Sequence, residues 1–208
     1  MIEIDKTDGL WTVTINRPDK ANSLTQDMLS TLVDIAESAG NPASGVQALI
    51  LTGKGRVFSA GADLDAARAG LATSDLWERL SGAIAALPCL SVAALNGTLA
   101  GGATGMALAC DIRIAVPGAR FFYPVMKLGF LPQPSDPVRM MALIGPARTK
   151  LILIAGQKIS TDEAFAFGLI DRIVAPEDLM ETAHALTADS CAARPEIAAG
   201  IAALCAPQ

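Results

Sequence analysis

From Asn96 to Asp111 the chain reads Asn-Gly-Thr-Leu-Ala-Gly-Gly-Ala-Thr-Gly-Met-Ala-Leu-Ala-Cys-Asp, a run of small residues directly after the apolar segment 91–95. An apolar strand that passes into glycine and alanine in this way can only turn and feed a tightly packed helix. Gly97, Gly101, Gly102 and Gly105 remove the side chains that would keep a ligand or a neighbouring backbone at a distance. Glycine in a helix is less favourable than alanine by about 0.5–1 kcal/mol, so something must require the closeness. A helix start also leaves N–H groups unpaired, which suits an oxyanion or a polarised carbonyl. The alternative is a strand-to-helix turn needed for packing alone.

The rest of the chain places this stretch in an α/β pattern. Residues 2–5 and 10–15 alternate apolar and polar around Asp8-Gly9, a hairpin signal. Thr25 caps a helix that ends near Gly40, and residues 48–53 form an apolar run that marks a strand buried on both faces. A second glycine-rich loop, residues 53–64, follows that strand, and residues 65–87 are helical in pattern until Pro88. A strand at 111–116 comes next. Residues 121–137 hold four prolines, Pro124, Pro132, Pro134 and Pro137, and read as an ordered loop beside a binding site. Helices are expected at 138–144 and 146–155. Ser160-Thr161-Asp162-Glu163 is a capping box for a helix ending at Gly168. A short strand at 171–174 and a helical region from Pro176 close the pattern. Strands separated by helices imply an α/β fold with largely parallel, buried strands, and nothing marks a linker.

Composition narrows the function classes. With 208 residues, one sizeable core suffices. A net charge of -5 gives no footprint for nucleic acid and disfavours anionic membranes. The start of the chain lacks the features of a signal peptide and no apolar run reaches about 18 residues, so a cytoplasmic protein is expected. Cys89, Cys110, Cys191 and Cys205 form no C-x-x-C pair and read as buried free thiols, with no metal site expected. The single histidine, His184, reads as a surface or satisfied residue, and no G-x-S-x-G elbow accompanies it.

Both glycine-rich loops follow a buried strand, so both can present backbone N–H groups at one edge of the core. Phe58-Ser59-Ala60-Gly61-Ala62-Asp63-Leu64, the stretch from Asn96 through Cys110-Asp111-Ile112-Arg113-Ile114-Ala115, and Ile159 to Ala164 with Gly168 to Val174 together resemble the enoyl-CoA hydratase/isomerase (crotonase) superfamily. The match runs in order from Asn16-Arg17-Pro18 to about Leu179. The resemblance implies a crotonase-like spiral of ββα units over residues 1–180, followed by a short helical segment at 181–208. It implies an acyl-CoA thioester as ligand, with coenzyme A as part of the substrate and no separate cofactor. It also implies an oxyanion hole from the backbone N–H groups of Ala60 and Gly102, with Gly61 and Gly101 beside them. The backbone of Ala62 and Asp63 would line the adenine end, Leu64, Tyr123 and Gln133 count among the substrate-binding residues, and Lys20 is either a phosphate contact or an ordinary solvated charge.

The family pattern fails at the acids. The two glutamates that hydratases of this family use fall at Gly105 and Val125, and neither residue carries a proton. Gln133 stands where other relatives have an aspartate, leaving Asp136 as the best acid or base, with the N-cap of the following helix as its competing role. Tyr123 and Lys127 are weaker polar candidates, and Asp111 reads as structural. The expected function is thioester enolate stabilisation of lyase or isomerase type in fatty acid metabolism. The alternative is a non-catalytic acyl-CoA binding or carrier protein. Family members continue with helices that build trimers, so a homotrimer or hexamer is expected, while the short segment after Pro195 puts that assembly in question.

Overall fold

The computed structural model describes residues 1–205, and in it the chain follows a repeating strand–strand–helix path. Strands β1 (Ile2–Thr7) and β2 (Leu10–Ile15) form the expected hairpin, with Asp8 and Gly9 at φ of 49° and 81°. Two positive φ values in a two-residue turn match the right-handed twist of the strands they join. Helix α1 (Gln26–Gly40) begins at Thr25, whose hydroxyl accepts the Met28 N–H. The second unit is β3 (Ala48–Gly53), β4 (Val57–Ser59), α2 (Leu64–Arg68) and α3 (Leu76–Ala85). The third is β5 (Leu90–Leu95), β6 (Thr98–Ala100) and α4 (Ala103–Ala109). The fourth is β7 (Ile112–Ala115), β8 (Arg120–Phe122), α5 (Val125–Leu128) and α6 (Ser135–Leu153). The path continues with β9 (Ile159–Ser160), α7 (Thr161–Phe167), β10 (Arg172–Ile173), α8 (Leu179–Ala192) and α9 (Pro195–Cys205).

From the second unit to the fourth, each unit sends its first strand to one sheet and its second strand to another. Among the described residues the larger sheet is six-stranded in the order β1-β2-β3-β5-β7-β10, and the smaller is four-stranded in the order β4-β6-β8-β9. Trp11 pairs with Leu49, Ile50 with Val92 and Ala94 with Ile114, all in parallel ladders. Each of these units adds one strand to both sheets, so the path advances as the expected α/β spiral. Strands β3 and β5 are buried on both faces, which is why they read as nearly continuous apolar runs. Ile15, Leu29, Ile50, Phe58, Leu95 and Met106 are among the largest side chains fully enclosed between sheets and helices.

Several local expectations change. The helix read over 65–87 is broken into α2, a 3-10 turn at Leu71–Thr73 and α3, because Gly70 takes φ of 106°. Strands β4, β6 and β8 lie in stretches read as loop or turn, so Thr98–Ala100 forms a strand before the glycine turn. The two helices expected after residue 137 occur as one element starting at Ser135, interrupted where Gly145 takes φ 76° and ψ 167° ahead of Pro146. The capping box holds: Glu163 N–H donates to Ser160 Oγ at 3.1 Å, and the Glu163 carboxylate accepts the Ser160 N–H at 2.8 Å. Gly168 ends α7 in the left-handed region.

Cys89 and Cys110 are buried, and burial pushes both thiols up to about 12. Cys191 is half-buried and Cys205 exposed because both sit on the outer helices α8 and α9, so the expectation of four buried thiols is corrected there. His184 lies on the exposed face of α8. Asp111 is structural: its carboxylate accepts from the Ser91 N–H and hydroxyl at 2.8 and 2.7 Å. No helix among the described residues is long and apolar enough to cross a membrane. The segment expected at 181–208 is helical through α9, and residues 206–208 lie outside the described residues.

Candidate functional site

Strands β4, β6 and β8 run parallel, with Ser59 paired to Leu99 and Ala100 to Phe122, so their C-terminal ends lie side by side. Residues that follow those ends converge on one cleft of about 480 Å³: Ala60 and Ala62 after β4, Gly101 and Gly102 after β6, Tyr123 and Val125 after β8. The outer wall is mostly apolar, with Leu64, Trp77, Leu128, Leu131 and Gln133. A crevice at the carboxyl ends of parallel strands is where open α/β sheets place ligands.

The glycines of the cleft answer a close approach. Gly61 has φ of 88°, and a Cβ there would lie 2.9 Å from the Ala100 carbonyl oxygen and 3.3 Å from the Gly102 nitrogen. The two loops therefore touch backbone to backbone. A Cβ on Gly102 would meet the Trp77 indole at 3.0 Å.

Hydrogen bonding decides which N–H groups remain free. Residues 21–24 lie beside residues 60–63 like a short extra strand. Ala60 N–H donates to the Ala21 carbonyl at 3.0 Å, Leu24 N–H to Gly61 at 2.8 Å and Asp63 N–H to Leu24 at 2.8 Å. Gly61 N–H donates to Ser59 Oγ at 3.2 Å. Ala62 and Gly102 are left with N–H groups that find no acceptor among the described residues. The expectation that Ala60 supplies the first donor is thereby corrected. Ala60 lines the cleft, but its N–H is consumed by Ala21, and the free donor of that loop is Ala62.

Asn22, missed in the sequence, holds this arrangement. It is fully buried at φ of 53°, donates to the Lys54 and Val57 carbonyls at 2.9 and 2.6 Å, and accepts the Arg17 N–H at 2.8 Å. The one signal for it is that asparagine tolerates the left-handed region. Asp63 stands outside the cleft lining. Its carboxylate accepts from Arg17 at 2.7 Å and caps α2 through the Asp65 and Ala66 N–H groups, and the Arg17 bond holds it below its ordinary value. Lys20 is exposed in the 3-10 turn Pro18–Lys20, next to Ala21 and outside the lining. Lys127 is exposed on α5.

Asp136 does not cap α6. It lies inside the first turn, is 0% exposed, and faces α4. Its Oδ2 accepts the Tyr123 hydroxyl at 3.0 Å, while its Oδ1 has no partner among the described residues. A Cβ on Gly105 would fall 2.5 Å from that Oδ1, so the carboxyl occupies space that only glycine leaves open. Burial pushes Asp136 up to about 7; Glu78 adds to the rise, while the Tyr123 bond and Arg139 oppose it. Burial, reinforced by Asp136, also pushes the Tyr123 phenol upward. Gly102 and Gly105 are one helical turn apart and so share a face of α4. The Asp136 carboxyl thus sits one turn from the free Gly102 N–H, behind Tyr123 in the cleft wall.

A family model for enoyl-CoA hydratase/isomerase matches residues 5–204. The crotonyl-CoA hydratase of Syntrophomonas wolfei is 35% identical over 185 residues, covering 86% of this chain and 71% of that protein. The short-chain-enoyl-CoA hydratase of Clostridium acetobutylicum is 35% identical over 190 residues, with 86% and 71% covered. The crystal structure of an enoyl-CoA hydratase from Bacillus anthracis superposes with a TM-score of 0.88 at 31% identity, covering 97% of this chain and 80% of that one. Fold, site position and these likenesses agree: the chain belongs to the enoyl-CoA hydratase/isomerase (crotonase) superfamily.

Proposed function

We propose that the cleft binds an acyl-CoA thioester and holds its carbonyl oxygen between the N–H groups of Ala62 and Gly102, stabilising the enolate that forms when the acyl α-carbon loses a proton. The observation that carries this reading is the pair of unpaired N–H groups on two loops in backbone contact at the floor of an apolar cleft. Fixed donors aimed at developing negative charge need no reorganisation during reaction, and loss of one costs about 2.7–4 kcal/mol where enzymes depend on it. The acyl chain would lie against Leu128, Leu131 and Trp77, and the CoA end would leave past Leu64 toward the exposed Lys20.

Gly105 and Val125 carry no titratable group, so water addition by two carboxylates has no residues at those positions. The reaction we infer is therefore a lyase or isomerase step on a thioester enolate. A non-catalytic acyl-CoA carrier is the second reading, favoured by the apolar Val125 in the cleft wall. The exposed Ile197, Ile201 and Leu204 of α9 support a homotrimer or hexamer that would cover them.

Calorimetry and absorption spectroscopy with a conjugated dienoyl-CoA test the reading. Binding with a shift of the dienoyl absorption to longer wavelength is expected, because a polarised carbonyl draws charge through the conjugated chain. Absence of binding, or binding with an unshifted spectrum, would sink it.

A further inference from the structure

We propose that Tyr123 and Asp136 are the proton-transfer pair of this cleft: the Tyr123 hydroxyl takes the proton from the acyl α-carbon, and Asp136, seated in the space left by Gly105, takes up the phenol's own proton. This rests on the acyl-CoA reading above and supplies the base that reading lacks.

Three independent features lead here. First, the carboxyl comes from α6 yet lies on α4, over a residue whose missing Cβ would stand 2.5 Å from Oδ1. Gly105 shares its helix face with Gly102, so the carboxyl is placed one turn beyond the donor proposed for the thioester oxygen. Second, Oδ1 is buried with no partner among the described residues. Buried polar atoms kept for structure alone are nearly always paired, and an exception points to a catalytic role or an unseen partner. Third, Tyr123 lines the cleft and donates to Oδ2 at 3.0 Å, which connects the enclosed carboxyl to the ligand space.

The step balances within these groups. The α C–H bond breaks, and its electron pair becomes the enolate, whose charge settles on the thioester oxygen. The proton moves to the Tyr123 oxygen as the phenol proton passes to Asp136 Oδ2, turning carboxylate into carboxylic acid. Tyrosinate never forms, as burial of the phenol requires. Reversal returns a proton to carbon. The charged groups facing Asp136 are Glu78 from α3 and Arg139 from α6 itself. Glu78 accepts the Ser135 N–H and hydroxyl at 3.3 and 3.0 Å, and Arg139 donates to Ser135 Oγ at 2.6 Å. With its carboxyl raised to about 7, Asp136 gives up and regains a proton at neutral pH.

The test follows exchange of the α-hydrogens of butyryl-CoA for deuterium in heavy water, beside calorimetry and the dienoyl-CoA spectrum. Wild-type protein is expected to exchange, with a rate that rises with pH through about 7. Asp136→Asn and Tyr123→Phe should keep binding and the spectral shift, lose about 10²–10⁴-fold in exchange, and flatten the pH profile. Both variants are near-isosteric; should one fail to fold, the other still decides. Binding and a shifted spectrum with no wild-type exchange overturn the pair and leave the acyl-CoA reading standing. Exchange in either folded variant within about threefold of wild type does the same, since a positioned acid–base group contributes far more than that. Loss of binding by the wild type overturns both.

Discussion

Gly105→Ala places one methyl carbon 2.5 Å from Asp136 Oδ1 and 3.1 Å from its Cγ. That neighbour is no flexible tip, because Asp136 is fully enclosed and tied to Tyr123. Overpacking of this kind costs about 1–3 kcal/mol. Replacing a helical glycine by alanine returns about 0.5–1 kcal/mol. The net expectation is a loss of up to about 2.5 kcal/mol. With the carboxyl gone in Asp136→Ala, the same methyl meets open space and should stabilise by about 0.5–1 kcal/mol. The two substitutions should therefore couple by about 1–3 kcal/mol, measured by urea unfolding of wild type, both single variants and the double variant. For a chain of this length each kcal/mol also moves Tm by about 2–4 °C. An equal effect of Gly105→Ala in both backgrounds would refute the placement of the carboxyl over Gly105.

Further expectations concern stability and the loops. Asp136 is raised from 3.8 to about 7, so the folded state binds the extra proton and the stabilisation, complete below about pH 4, fades as pH rises through about 7. At about 1.4 kcal/mol per unit, wild type should lose up to about 4 kcal/mol across that window relative to Asp136→Asn, read from urea midpoints at each pH. A parallel pH profile in the two proteins would contradict this. Asn22→Ala strips a buried side chain of three hydrogen bonds and should cost about 1–3 kcal/mol and weaken acyl-CoA binding, checked by unfolding and calorimetry. Ser160→Ala removes the capping box and should cost about 0.5–2 kcal/mol in thermal unfolding with thioester affinity unchanged.

Local chemistry made the elements legible where it acts within a few residues. Thr25 and Ser160 cap their helices because a hydroxyl reaches an N–H three residues on, and Asp8-Gly9 turns the hairpin because both accept positive φ. The three-residue strands β4, β6 and β8 are not legible because they are too short for periodicity and find their partners, one another and β9, across long sequence separations. The site was legible as two glycine loops, since close approach leaves its mark in composition. Which N–H groups stay free was not, because that depends on residues 21–24 lying against residues 60–63. Asp136 illustrates the same limit. An aspartate at the start of a helix reads as a cap, and only packing of α6 on α4 shows its carboxyl filling the space at Gly105.

Gly102 has φ of -60° and ψ of -21°, close to the angle that proline imposes. Gly102→Ala and Gly102→Pro both bring a Cβ toward the Trp77 indole, but only proline deletes the N–H. The dienoyl-CoA spectrum of the two variants side by side is thus the most direct test of the two-donor carbonyl site. The alanine variant should keep the long-wavelength shift and the proline variant should lose most of it, and equal shifts in both would contradict the assignment of Gly102 as a donor.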